Sequence, residues 1–176
     1  MLAIEGDALS GASLKYFIVP KTVIELEKNS FKGVSAVIVY KDSYAEKFCK
    51  ENNIEFYYVE QLEEIKLKFY TLEDAWGIED RSQIPSGVEI VDVHYTEDSE
   101  WWYNNSEINE QLGIVFPDTV KEIRRFDLNF KKSHSITIPS SVEKIGFISH
   151  LESCTLFVEK GSYAESWAKE HGCKYF

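Results

Sequence analysis

The amino-acid sequence predicts an α/β fold: a solenoid of short strands in two repeat blocks, each closed by an amphipathic helix. Three observations lead to it. A duplication spans both halves of the chain, a shorter period lies inside that duplication, and apolar residues alternate just ahead of the prolines.

The duplication is plain in the letters. Residues 41–53 read KDSYAEKFCKENN, and residues 160–172 read KGSYAESWAKEHG. The same offset of 119 residues places Pro20 on Pro139, Val23 on Val142, Leu26 on Ile145, Val39 on Val158 and Tyr44 on Tyr163. No gap is needed from residue 20 to residue 57. The shorter period comes from the prolines. Each of the four opens the phrase Pro-x-x-Val-x-x-(Leu/Ile/Val): Pro20 with Val23 and Leu26, Pro85 with Val88 and Val91, Pro117 with Val120 and Ile123, Pro139 with Val142 and Ile145. The last two prolines stand 22 residues apart, and Ile4, Ala8, Leu9 and Gly11 recur 22 residues on as Leu26, Ser30, Phe31 and Gly33. A period of roughly 20–29 residues belongs to a solenoid coil built around a short strand.

The strands are expected ahead of the prolines. Phe17 and Val19, Ile114 and Phe116, and Ile136 and Ile138 alternate there. Period-two alternation sends each pair to one face, the interior of the coil. Proline at a strand end removes no ladder hydrogen bond. The Val and Leu or Ile that follow are expected to turn inward from the opposite wall. One coil cannot bury its own apolar face, so such units are stable as a stack.

The repeated SYAE phrase is a helix start. Ser43 and Ser162 are the expected N-caps, and Glu46 and Glu165, three residues on, reach back to complete a capping box. Tyr44 with Phe48, Ala45 with Cys49, Tyr163 with Trp167 and Ala164 with Ala168 stand at i, i+4, one apolar stripe per helix. Lys50 and Lys169 favour the helix dipole, and Asn53 and Gly172 are the expected stops. An amphipathic helix hides the open end of a stack. The predicted organisation is a first repeat block with its closing helix over residues 1–59, then a connecting segment and a second repeat block with its closing helix over residues 60–176. The connector, residues 60–83, is too apolar for a flexible linker. Within it Ile65, Leu67 and Phe69 alternate as in a strand, and residues 72–76 read as a turn of helix.

Composition narrows the function. Thirty acidic residues against 19 basic ones give a net charge of −11, which disfavours nucleic acid and anionic membrane surfaces as partners. No apolar run approaches the ~18 residues of a membrane span, so no membrane insertion is expected. The opening MLAIEGDALSGASLKYF lacks the basic and apolar regions of a secretory signal. The chain is expected to be cytoplasmic, or extracellular or at the cell surface if it is a fragment of a longer secreted protein.

Little points to chemistry. Cys49, Cys154 and Cys173 are odd in number and form no CxxC pair. The repeat aligns them with Ala168, Ser35 and Ile54, so they read as small packing residues. His94, His134, His150 and His171 share no ligand spacing. His150 aligns with Phe31 on the coil wall, and His171 falls at a helix end. Asp92 and His94 form one Asp-x-His pair, with no identifiable further ligand. GxSxG, P-loop and GxGxxG motifs are absent. No catalytic residue, metal site or cofactor is expected.

The strongest local feature is an insertion. Pro85 and Pro117 stand 32 residues apart rather than 22, and the surplus falls in HYTEDSEWWYNNSEINEQ. Trp101, Trp102 and Tyr103 lie there among acids and asparagines. Insertions in solenoids form loops, often on a binding face. The three aromatics read either as a binding platform or as a lid folded back over a coil.

IEGDALSGASLKYFIVPKTV, ITIPSSVEKIG and EKGSYAESWAKEHGCKYF resemble the BspA-like leucine-rich repeat family, which has a repeat of this length, a Pro-Ser-(Ser/Thr)-Val phrase and a final Gly-Ser-Tyr-Ala-Glu helix. The resemblance covers about three quarters of the chain; residues 60–112 depart from the pattern. It implies a right-handed, leucine-rich-repeat-like solenoid, a bacterial and often cell-surface protein, roles in adhesion and protein binding, and no catalytic residues. The expected function is a non-catalytic protein–protein interaction module, using the exposed strand face and the loop of Trp101, Trp102 and Tyr103. The alternative is a carbohydrate-binding surface protein in which those three aromatics stack on a glycan.

Overall fold

The structure, a computed structural model, describes residues 2–10, 12–71, 74, 84–93, 113–127 and 134–176. The chain divides into two compact units, Met1–Leu67 and Lys68–Phe176. Both are mixed α/β. Every strand pair among the described residues is parallel, and no sheet closes on itself. No helix among them is long and apolar enough to cross a membrane.

In the first unit β1 (Leu2–Ile4), β2 (Leu14–Ile18), β3 (Val23–Leu26) and β4 (Val34–Val39) alternate between two sheets. β1 pairs with β3, and β2 with β4. Helix α1 (Tyr44–Glu51) packs on β3, after which β5 (Phe56–Tyr58) adds to the edge of β4 and helix α2 (Leu62–Lys68) follows. The second unit holds β6 (Phe69–Thr71), β7 (Ile90–Val93), β8 (Gly113–Val115), β9 (Glu122–Phe126), β10 (His134–Ile138), β11 (Lys144–Ile148), β12 (Cys154–Val158), helix α3 (Tyr163–Glu170) and β13 (Lys174–Tyr175). One sheet runs β11-β9-β7-β6 and the other β13-β12-β10-β8, so from β7 to β12 the chain again alternates. Ile123 lies beside Ile145 and Ile114 beside Ile136, offsets equal to the 22-residue period. Val91 lies beside Ile123, an offset of 32, so the insertion falls between strands and the ladder continues past it.

The proline phrase has a local cause. In all four copies the valine N–H donates to the proline carbonyl three residues back: Val23 to Pro20, Val88 to Pro85, Val120 to Pro117 and Val142 to Pro139, at 3.0–3.4 Å. Each phrase is therefore a tight turn that ends one strand and aims the valine at the core. Val19, Ile114, Phe116, Ile136 and Ile138 are buried from one wall, and Val23, Val88, Val120, Val142 and the Leu26, Val91, Ile123 and Ile145 that follow are buried from the other. The inward pattern expected of both walls is present.

The helices match in their caps and differ from expectation in three respects. Ser43 and Ser162 accept the N–H of Glu46 and Glu165 at 3.1 Å. The glutamates reach one residue past the cap, to the N–H of Asp42 at 2.6 Å and of Gly161 at 2.7 Å. Both of those residues have positive φ, which turns their N–H toward the carboxylate. At the other end Ile54 donates to Cys49 and Cys173 to Ala168, with Asn53 and Gly172 left-handed, a Schellman stop in both copies. Second, only part of each predicted stripe is buried: Ala45, Cys49, Ala164, Trp167 and Ala168 are shielded, whereas Tyr44 and Tyr163 are exposed at the first helical position. Third, neither helix ends its unit, because β5 and β13 return to extend the sheet.

The connector also corrects an expectation. Leu62–Lys68 is a helix, so of Ile65, Leu67 and Phe69, expected in a strand, only Phe69 lies in one, at the start of β6. Ile65 is buried while Leu67 is 75% exposed. Leu, Glu and Lys are strong helix formers, and Lys66 pairs with Glu63 at 2.8 Å across one turn, so propensity overrides a three-residue alternation. Of residues 72–76 only Asp74 is described; it is helical, and its carboxylate accepts the Thr71 N–H at 2.9 Å.

Candidate interaction face

Strand alternation gives the sheet β8-β10-β12-β13 two faces. Ile114, Ile136, Leu156 and Tyr175 stand in one row toward the core. The opposite face carries two rows: Gly113, Ser135, Thr155 and Lys174, then Val115, Thr137, Phe157 and Phe176. The row bearing the apolar side chains is open to solvent, with Val115 54%, Phe157 43% and Phe176 69% exposed. Phe157 and Phe176 stack with ring centroids 6.0 Å apart, and the Lys174 ammonium lies 5.5 Å from the Phe176 ring centre. The starts of β10 and β12 add a depression of about 490 Å³, lined by Ser135, Glu152, Thr155, Phe157, Lys174 and Phe176. His134, Ser153 and Cys154 complete its lining, which mixes ring faces and hydroxyls with one charge of each sign.

The first unit supplies the comparison. The 119-residue offset places Tyr16, Ala36 and Glu55 on Ser135, Thr155 and Lys174, and Ile18, Ile38 and Tyr57 on Thr137, Phe157 and Phe176. The ladder pairs them in the same way: Tyr16 with Ala36, Ile18 with Ile38, and Ile38 with Tyr57. Yet there Ala36 and Ile38 are shielded, Ile38 completely. Helix α2 reaches this face, with the Lys66 ammonium 5.7 Å from the Tyr16 ring centre. The centre of the face is covered in the first copy and open in the second.

Of the residues singled out from sequence, His134 and Cys154 line this depression and are both buried, and the others fall elsewhere. Trp101, Trp102, Tyr103 and His94 lie outside the described residues. Asp92 is buried and takes both Arg125 nitrogens, Nε at 2.6 Å and Nη2 at 2.9 Å, so its carboxylate is committed to an ion pair. His150 is not on the coil wall; it caps a short turn in left-handed conformation, with Nδ1 3.5 Å from Glu152. Its backbone leaves the strand there, which the alignment with buried Phe31 did not reveal. His171 is the C-cap of α3, stacked on Trp167 at 4.1 Å between ring centres, with Nδ1 2.9 Å from the Trp167 carbonyl oxygen. Cys49 and Cys154 are buried and Cys173 is half-buried, all three as free thiols. Burial pushes the Cys49 thiol up to about 11 and the Cys154 thiol up to about 12. Among the described residues no three His, Cys, Asp or Glu side chains cluster as a metal ion requires.

Phe157 and Phe176 were not named from sequence, although a signal existed. Phe157 lies out of phase with the inward Cys154, Leu156 and Val158, and alternation alone sends it outward. Comparison of the chain with protein-family models, curated proteins and solved structures gives no match.

Proposed function

We propose that the chain is a non-catalytic protein-interaction module, a leucine-rich-repeat-like solenoid of the BspA-like kind from a bacterial cell-surface or adhesin-like protein. Its partner sits on the outer face of β8, β10, β12 and β13. The solenoid reading is supported by strands that alternate between two parallel sheets at the spacing of the sequence period. The observation that carries the binding role is the contrast between Ile38, fully shielded, and its counterpart Phe157, 43% exposed. An apolar row with hydroxyls between its rings is soluble when vacant and gains from burial when met. Stacked aromatics on such a row are the residues that usually dominate binding energy. The glycan reading rests on Trp101, Trp102 and Tyr103 and so on sequence alone.

The test begins with a partner captured on the immobilised full chain and then purified. Its Kd is measured against the wild type and against Phe157→Ser with Phe176→Ser. The double variant should bind at least ~10-fold more weakly, since hot-spot truncations cost about 2 kcal/mol or more. Tyr44→Ser with Tyr163→Ser, exposed elsewhere, should bind as the wild type. Unchanged affinity in a folded double variant overturns the face, and substrate turnover by the chain overturns the module.

A further inference from the structure

Cys154 opens β12, and Cys173 immediately precedes β13. The ladder pairs Thr155 with Lys174 and Leu156 with Tyr175. One step back along both strands brings Cys154 beside Cys173. Alternation sends both to the inner side: Leu156 and Tyr175, two residues on, both belong to the core, and Cys173 packs against the cluster that includes Cys154. Neighbouring strands lie ~4.8 Å apart. Disulfides span Cα separations of roughly 4.4–6.8 Å, so a directly opposed pair on one face falls within reach.

The first unit argues that packing does not require these thiols. The same row there is Ser35 and Ile54, at the 119-residue offset, and that unit packs without a sulfur at either place. Cys49, the remaining thiol, is fully buried in the first unit, in a cluster that contains neither Cys154 nor Cys173. Cys173 is the more accessible of the facing pair.

We propose that Cys154 and Cys173 are a reversible modification site that closes to a disulfide by exchange with a low-molecular-weight disulfide, fastening edge strand β13 to β12. The half-buried Cys173 thiolate attacks the small disulfide, forming a mixed disulfide and releasing one small thiolate. The Cys154 thiolate then attacks the Cys173 sulfur and releases the second. The two electrons pass to the small disulfide, and the two thiol protons pass to the released thiolates. Burial holds both thiols above the ordinary thiol range, so closure is slow and favours long exposure to an oxidising compartment. Closure would fix the strand that carries Lys174 and leads into Phe176, half of the open face.

The experiment incubates the full chain with oxidised glutathione, alkylates in denaturant and counts thiols by intact mass. Three free thiols should fall to one, with a loss of two hydrogens and no retained glutathione, and a peptide map should join the Cys154 and Cys173 peptides. Cys49→Ser should close in the same way and end with no free thiol. Cys154→Ser should instead keep glutathione on Cys173, which shows that the second step needs Cys154. Reduction should restore all three thiols. Three thiols unchanged after exposure, glutathione retained on both cysteines of the wild type, or a link to Cys49 would each overturn the proposal.

Discussion

Arg125→Met tests whether the buried carboxylate of Asp92 depends on its guanidinium. The Asp92 side chain is 2% exposed, and each of its oxygens receives one Arg125 nitrogen, at 2.6 and 2.9 Å. Methionine keeps much of the stem packing and removes both charge-assisted donors. Stranding one partner of a buried pair costs about 3–5 kcal/mol. The expected destabilisation is therefore about 3–5 kcal/mol. Replacing both groups, Asp92→Leu with Arg125→Met, removes the stranded charge and should return stability to within ~1 kcal/mol of the wild type. Urea unfolding followed by tryptophan fluorescence measures it. All four tryptophans, at 76, 101, 102 and 167, belong to the second unit, so the signal reports on the unit that holds the pair. A loss under ~1 kcal/mol in Arg125→Met at unchanged m, or a double variant as unstable as the single one, would refute the reasoning.

Further outcomes follow from the helix ends. Glu46 is held down to about 2 by the Lys50 ammonium, then the Tyr58 hydroxyl and the Asp42 N–H. Its folded value lies below the ordinary 4.5, so its contribution is complete above about pH 4.5 and lost as pH falls toward 2. The melting-temperature gap between wild type and Glu46→Gln should narrow across that window and stay flat above it; a gap independent of pH removes Glu46 as the cause. Gly172 has φ +65 and open space around its Cβ position, so Gly172→Ala should cost about 1–2 kcal/mol from backbone strain alone in a urea melt. Asn53, left-handed at the equivalent place, should gain up to ~1 kcal/mol as Asn53→Gly, and a loss there would mean its side chain contributes more than its backbone costs.

Features written in local chemistry were legible in the sequence. The proline phrase is a turn closed within four residues, and the serine caps and left-handed stops are set by their own neighbours, so they read correctly in isolation. The inward walls followed from alternation. What failed needed context. Residues 62–68 hold a three-residue alternation and a full turn of helix formers, and length decided for the helix. Tyr44 and Tyr163 satisfy i, i+4 spacing, and Tyr44 does stack on Phe48, but at the first helical position both remain exposed and join neither core. The open face was hardest to see. Ile38 and Phe157 occupy the same position in duplicated strands, and only what lies above each one separates them.

That difference is matched by substitution along the face. In the covered copy the rows read Tyr16, Ala36 and Ile18, Ile38; in the open copy the same places read Ser135, Thr155 and Thr137, Phe157. Two of the four changes, Ala36 to Thr155 and Ile18 to Thr137, put a hydroxyl-bearing side chain in place of a hydrocarbon, and a third replaces the large phenol of Tyr16 with Ser135. Where the face is shielded, at Ala36 and Ile38, it is apolar, while half-buried Tyr16 and Tyr57 and exposed Glu55 lie around that centre. A face that stands open must satisfy water while vacant and still reward contact, and interspersing Thr and Ser among a few aromatics meets both demands. Had the open copy merely lost its cover, its centre would retain the aliphatic pair of the first unit and favour aggregation. Reversion bears on the point: Thr137→Ile with Thr155→Ala should leave the fold intact, since both side chains point away from the core, but should drive concentration-dependent self-association by analytical ultracentrifugation. A variant that stays monomeric at the highest soluble concentration would mean that the hydroxyls are incidental and that the aromatics alone define the face.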